Sequence, residues 1–303
     1  MMPHDPYRID GPALVSFSGG RTSGYMLRHI LDAHDGHLPA DVHVVFFNTG
    51  REFEQTLRFV HDCSARWQVA ITWLEYDPAE PFDTGVVGYN SAARDGEPFA
   101  RVVQVRGILP NPTMRLCTHY LKIKRGIAFM RDMMGYEEWT NVVGLRHDEP
   151  RRVARQKALN DTGKERFETV LPLDQARVTR RDVSAFWKRQ PFDLGLPDND
   201  GKAPLGNCDL CFMKGAATIQ GIMRLFPERA SWWIGMERTA PASGTLRKPE
   251  MALFRADRPS YREMFDFVRR QRDFEGGAAA GFAGNCLNRA DRESDCLPCD
   301  CHD

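Results

Sequence analysis

Three groups of residues in this sequence have types and spacings suited to chemistry. The first is Ser18-Gly19-Gly20-Arg21-Thr22-Ser23, two positions after Ser16. Glycines let a backbone approach an anion closely, and serine and threonine hydroxyls add hydrogen-bond donors. A phosphate suits such a stretch. A plain glycine-rich turn, with Thr22 or Ser23 as a helix cap, is the simpler alternative. The second group is Arg146 with Arg151 and Arg152, just after Gly144, in "GLRHDEPRR". A guanidinium offers a planar fork that bonds an oxyanion at two points. A solvated charge run is the competing reading. The third group is the cysteines, eight in all and unevenly spread. Cys63 and Cys117 stand alone, Cys208 and Cys211 form a C-x-x-C pair, and Cys286, Cys296, Cys299 and Cys301 crowd the end.

These residues are positioned by an alternation of apolar runs and helical patterns. "ALVSF" (13–17), "VHVVFFN" (42–48), "VAITWLEY" (69–76) and "WTNVVG" (139–144) read as strands. Their nearly unbroken apolar character suits a parallel sheet buried on both faces. "SGYMLRHILDAH", "REFEQTLRFVHDCSARW" and "LCTHYLKIKRGIAFMRDMM" read as helices, and "VTRRDVSAFWKRQ" as another with Thr179 as its N-cap. Residues 78–112, rich in Pro, Gly and Asn, read as a long irregular segment, and "YREMFDFVRRQRDF" as a surface helix. The β-α-β-α order predicts an α/β doubly wound parallel sheet, with a mostly helical or irregular C-terminal extension. The division expected is 1–235 for a nucleotide-binding domain and 236–303 for an extension with a cysteine-rich tail. In such sheets ligands gather at the carboxyl ends of strands. The Ser18–Ser23 stretch lies where the first strand meets the first helix, so the unpaired N–H groups and the dipole of that helix favour an anion there. Asn48-Thr49-Gly50 ends the adjacent strand, which makes a cleft of the two loops.

Six stretches, in order, resemble one family. "SFSGGRTS" resembles the PP-loop of ATP pyrophosphatases and their sulfur-metabolising relatives. "FFNTGREFEQT", "RLCTHYLKIK", "VVGLRHDEPRR", "LPLDQARVTRRDVSAFW" and "GNCDLCFMKG" resemble successive motifs of the phosphoadenylyl-sulfate (PAPS) reductase family. The resemblance covers roughly residues 13–215. It implies a Rossmann-like, adenine nucleotide alpha hydrolase-like fold that binds ATP or PAPS, with Mg2+ as an accessory ion. It implies that Ser16, Ser18, Gly19, Gly20, Arg21, Thr22 and Ser23 hold phosphate, that Asn48, Thr49, Gly50 and Gly144 lie near the nucleotide, and that Arg146 with Arg151 or Arg152 clamps phosphate or sulfate. Thr22 and Asn48 stand where the family pattern has aspartates, which leaves fewer carboxylates for a metal-ATP complex; Glu52 is an available acid.

Cluster-bearing relatives use a tandem Cys-Cys and a later C-x-x-C to hold a [4Fe–4S] cluster. Here Thr118 follows Cys117, so the resemblance supplies Cys117, Cys208 and Cys211 as ligands. Fe–S clusters normally take four cysteines. Cys286 or Cys299 would complete the set, or one iron would stay open for sulfur or substrate. Zinc is the rival metal for four thiolates. Cys63 reads as a buried structural thiol. The "DCLPCDCHD" ending lacks the family's tail glycine; a metal clip or fold staple ranks before a nucleophile there.

The expected function is an adenine-nucleotide-binding enzyme of sulfur metabolism, PAPS reductase-like. The alternatives are an ATP-dependent sulfurtransferase acting on nucleic acid or a small molecule, a non-catalytic nucleotide-binding module, and a zinc-stapled scaffold. The catalytic residues and the electron or sulfur donor stay open, and an oligomer is compatible. Formal net charge is zero over 303 residues, so no global basic field points to nucleic acid. No apolar run reaches the roughly 20 residues a bilayer requires, and the N-terminus lacks an apolar signal segment. The expectation is a cytoplasmic protein with no membrane partner.

Overall fold

A computed structural model describes residues 5–197, 204–239 and 252–274. Six strands form one sheet: β1 (Ala13–Ser16), β2 (Val42–Phe47), β3 (Ile71–Tyr76), β4 (Thr84–Val87), β5 (Trp139–Val142) and β6 (Phe167–Val170). Their spatial order is β4-β3-β2-β1-β5-β6. All neighbours run parallel except β4, which lies antiparallel on β3. The chain leaves β1 toward β2 on one side and returns to its other side as β5. That reversal of direction sits at β1, and it opens a crevice beyond the carboxyl ends of β1 and β5.

The side-chain period of two explains the burial on both faces. Ala13, Val15, Val44 and Phe46 join the large core cluster on one face. Leu14, Val45, Phe47 and Leu74 pack with Phe129, Met130 and Trp139 on the other. The first face is covered by α1 (Arg21–Ala33) and α2 (Glu54–Trp67), whose buried residues recur at helical spacing. The second is covered by a continuous helical stretch in which α4 (Lys124–Ile127) is flanked by π-helical segments, Thr118–Ile123 and Ala128–Met133.

The segment expected to be irregular holds β4 and α3 (Glu97–Arg106). Phe99, Val102 and Val103 give α3 its buried stripe, and the left-handed Gly96 and Gly107 bound it. Beyond β5 come α5 (Pro150–Asn160), α6 (Pro172–Gln175), α7 (Arg180–Trp187), α8 (Ala216–Leu225), α9 (Ala230–Thr239) and α10 (Tyr261–Phe274). Thr179 caps α7 as its sequence predicts. The Asp182 carboxylate accepts from the Thr179 backbone N–H at 2.8 Å and from its hydroxyl at 2.6 Å. Position 235 falls inside α9, and Met264 and Val268 of α10 belong to the same core cluster as β1 and β2. The helix read as a surface element therefore buries one face, at Tyr261, Met264 and Val268. No helix among the described residues is long and apolar enough to cross a membrane.

Glu237 of α9 joins this C-terminal packing. Its carboxylate accepts from the backbone N–H of Tyr261 at 2.8 Å and of Phe254 at 3.4 Å. Burial pushes its pKa up to about 7, from an ordinary value of 4.5. Between those values the folded chain holds a proton that the unfolded chain has released. Stability should therefore fall as pH rises from 4.5 to 7 and level off above. Glu237→Gln keeps an acceptor for Tyr261 and removes the titration. After allowance for solvent screening, it should gain about 1–2 kcal/mol at pH 8 and little at pH 5. Thermal melts of both chains across pH 4–9 read this directly; parallel pH profiles would refute it.

Candidate nucleotide site

The loop after β1 is shaped by two glycines with different constraints. Gly19 sits in the left-handed region (φ +76°), and a Cβ there would lie 2.7 Å from Thr56 Cγ2 and 2.9 Å from Val60. Gly19 thus lets the loop pack flush on α2. Gly20 is extended (φ −96°, ψ 165°) and serves as the N-cap of α1 with no side-chain capping bond. A Cβ on Gly20 would meet only Ser18 Oγ, at 3.5 Å. Ser18 and Ser23 share a hydroxyl contact of 3.0 Å, and Ser23 donates to the Gly20 carbonyl at 3.0 Å. The first turn of α1 carries no acidic residue. Its leading N–H groups and dipole make an anion site without an internal anion.

Arg146 reaches this loop from the other side of the crevice. It donates to Thr22 Oγ1 at 2.9 Å and pairs with Asp148 at 2.9 Å and Glu149 at 3.3 Å. Glu149 also holds Arg152 at 2.5 Å. Thr22, which stands where the related motif has an aspartate, is thus the seat for a guanidinium. Gly144 is buried just after β5, and Arg151 is exposed on the first turn of α5. Arg21 is engaged elsewhere than its motif position implies. It donates to Asp193 and to the Leu196 carbonyl, and its own carbonyl accepts from Trp187 Nε1 at 2.7 Å. One buried nitrogen of Arg21, Nη1, has no hydrogen-bond partner among the described residues.

The loop after β2 is also densely bonded. Asn48 is fully buried; its amide donates to Glu75 and, at 2.8 Å, to the Ala93 carbonyl, and its oxygen accepts from Gly50 N at 3.2 Å. Its amide therefore holds the loop together. Gly50 is left-handed (φ +77°) and lies so close to Gly96 that a Cβ would come within 2.9 Å of its backbone. Thr49 donates to Glu52 at 2.8 Å and lies 3.3 Å from Cys208 Sγ. Glu52 is buried, which raises its pKa against a partly offsetting Lys122 charge.

The C-x-x-C segment is pinned beside that loop by Asp209, the first of the two residues between its cysteines. Asp209 is fully buried and pairs with Arg51. It also accepts from Trp233 Nε1 at 2.8 Å and Arg229 at 3.3 Å, and its N–H donates to the Arg51 carbonyl at 2.8 Å. A carboxylate inside the apolar run "NCDLCFM" was the one sequence signal for this tie. Cys63, Cys117, Cys208 and Cys211 are not joined in disulfides, and Cys63 is buried in α2 as its apolar position implies. Among the described residues, no three His, Cys, Asp or Glu side chains gather as a metal site. Cys286 and Cys299 lie outside the described residues.

Two adjoining cavities open on the face of the sheet away from α1. One, of about 210 Å³, is floored by Leu14, Phe47 and Trp139, with Ser16, Lys122 and Asn141 among its polar lining. The other, of about 220 Å³, is lined by Arg115, Arg152 and Arg155 and by no carboxylate. His119, also in its wall, is held below its ordinary pKa by burial and by Lys124. Both cavities share Ile123, Gln156 and Leu159. Gln156 and Asn141 escaped sequence reading because neither lies in a recognisable motif.

A family model described as the phosphoadenosine phosphosulfate reductase domain matches residues 12–193. The chain belongs to that family. The match runs from the entry to β1 through to Asp193, the partner of Arg21, and covers the whole sheet. Phosphoadenosine phosphosulfate reductase domains bind adenine nucleotides and are generally found in enzymes. The chain is 31% identical over 229 residues to an uncharacterised nin region protein of Escherichia phage lambda, covering 71% of this chain and 73% of that one. It is 39% identical over 88 residues to an uncharacterised protein of Methanocaldococcus jannaschii, covering 29% of this chain and 17% of that protein.

Proposed function

We propose that this chain is an adenine-nucleotide-dependent enzyme of sulfur chemistry that takes a PAPS-type substrate. The observation that carries this reading is the contact between Arg146 and Thr22, which sets a guanidinium against the uncapped start of α1. Those groups suit the phosphosulfate end of the ligand. The apolar-floored cavity reached past Ser16 suits the adenosine, and the three-arginine cavity suits a second anionic group, as the 3′-phosphate of PAPS provides. Reduction of such a ligand would take two electrons from a dithiol class of donor and release sulfite and adenosine 3′,5′-bisphosphate.

Buried Thr118, in place of the second cysteine of the reductase pattern, favours a second reading: ATP-dependent sulfur transfer to an acceptor. Calorimetry with PAPS and ATP, followed by assays for sulfite from PAPS and pyrophosphate from ATP, separates the two. Binding of neither nucleotide would end both. Arg146→Lys should weaken nucleotide binding about tenfold, because an ammonium cannot span Thr22 and an oxyanion with one planar fork. Equal affinities for the parent and this variant would return the "GLRHDEPRR" loop to solvated surface.

A further inference from the structure

The chain has no net charge, yet its cations are unevenly placed. Residues 98–131 contain seven Arg and Lys and no Asp or Glu. α5 repeats the pattern with Arg151, Arg152, Arg155 and Lys157 and no acid. The two stretches meet in space: Arg115 and His119 of the first line the same cavity as Arg152 and Arg155 of the second. From His119 the belt continues outward. The His119 ring meets Tyr120 edge-on at 4.8 Å, and Tyr120 carries Arg106 at 4.0 Å and Lys124 at 4.8 Å from its ring centre. Glu149 and Asp174 each take one cation of α5, Arg152 and Lys157. Arg106, Lys124, Arg151 and Arg155 are exposed.

Like charges gathered on one side of a neutral protein repel one another, and a polyanion is the partner that relieves the repulsion. Two features hold the belt in a fixed arrangement. Arg106 and Lys124 are laid against one aromatic ring, a favourable cation–π geometry. The segment that presents His119 and Tyr120, Thr118–Ile123, is π-helical, a geometry found often at functional sites. Three of the four exposed cations are arginines, whose planar fork fits phosphate oxygens at two points. Val105 and Leu159, 56% and 50% exposed, put apolar surface beside the charges, which suits sugars and bases and offers nothing to an acidic peptide. We propose that the belt running from Arg106 and Lys124 to Arg155 and Arg151 binds the phosphodiester backbone of a nucleic-acid strand. The proposal goes beyond the nucleotide reading and does not depend on it, since Arg106, Lys124 and Arg151 line neither cavity.

The test is fluorescence anisotropy with the full chain and labelled single strands of DNA and RNA, about 20 nucleotides long, over a series of salt concentrations. Log affinity for at least one strand should fall linearly with log salt. Arg106→Gln combined with Lys124→Gln should reduce that slope by about 1.4, two phosphate contacts at about 0.7 each, and weaken binding about 20-fold near 0.1 M salt. The double variant should keep the parent's thermal midpoint and its calorimetric affinity for PAPS and ATP, so loss of strand binding is read apart from the nucleotide site. Arg58→Gln, an exposed cation of α2 on the other side of the sheet, should change neither slope nor affinity. Failure of the parent to bind either strand at low salt overturns the proposal, as does a double variant with the parent's slope. Polyglutamate bound as tightly as the strands would overturn it too, by giving the belt to an acidic protein.

Discussion

Gly20→Val is expected to lower nucleotide affinity more than about 100-fold while moving the thermal midpoint by no more than a degree or two. The backbone at Gly20 is extended, and a Cβ there meets nothing closer than Ser18 Oγ at 3.5 Å. Such a conformation admits any residue. The added methyls stand where an anion must approach the first N–H groups of α1. Gly19→Ala is the control with the opposite signature. Its left-handed φ of +76° and the 2.7 Å approach to Thr56 make it a folding lesion, costing about 1–3 kcal/mol or more. Calorimetry paired with thermal melts separates the two effects. Undiminished binding of PAPS and ATP by a folded Gly20→Val chain would show that the phosphate sits elsewhere.

Asp209→Ala should destabilise the chain by about 3–5 kcal/mol, the usual consequence of stranding a buried charge. The stranded group is Arg51, which is buried, pairs with Asp209 and stacks 5.0 Å above the Trp232 ring. Trp233 and Arg229 lose an acceptor at the same time. Arg51→Met combined with Asp209→Leu should recover a large part of the loss, because the buried cation is removed with its partner and, of the charged groups, only the partly exposed Arg229 loses an acceptor. Urea unfolding of the single and double variants measures both numbers. A single variant within 1 kcal/mol of the parent would mean that the tie between the β2 loop and the C-x-x-C segment contributes little.

The parts legible from sequence were those with one dominant physical signal. β1, β2 and β3 are apolar on both faces, so composition alone marked them, and Thr179 announced α7 through its pairing with Asp182. β4 is short, holds Gly85 and runs along the sheet edge, so it lacks the apolar run that marks a central strand. α5 buries only Val153 and Gln156, too little for a helical period to show through its charges. At the site, the glycines and Arg146 were readable from type and spacing. The side-chain commitments of Arg21 and Asn48 were not: their partners, Asp193 and Glu75, are fixed only once distant segments meet.

The placement of β1 between β2 and β5 also orders events during synthesis. β1 pairs with β2 within the first fifty residues, but its other edge meets β5 only at Thr140 to Val142. A nascent chain shorter than that carries an open, apolar strand edge at the centre of its future sheet. Closing it requires a long loop, and such closures come late and slowly. The contact of Arg146 with Thr22 spans 124 residues and forms only after that closure. The anion site is therefore among the last features to assemble, and a chain that grips its ligand has already sealed the edge that most exposes it to aggregation.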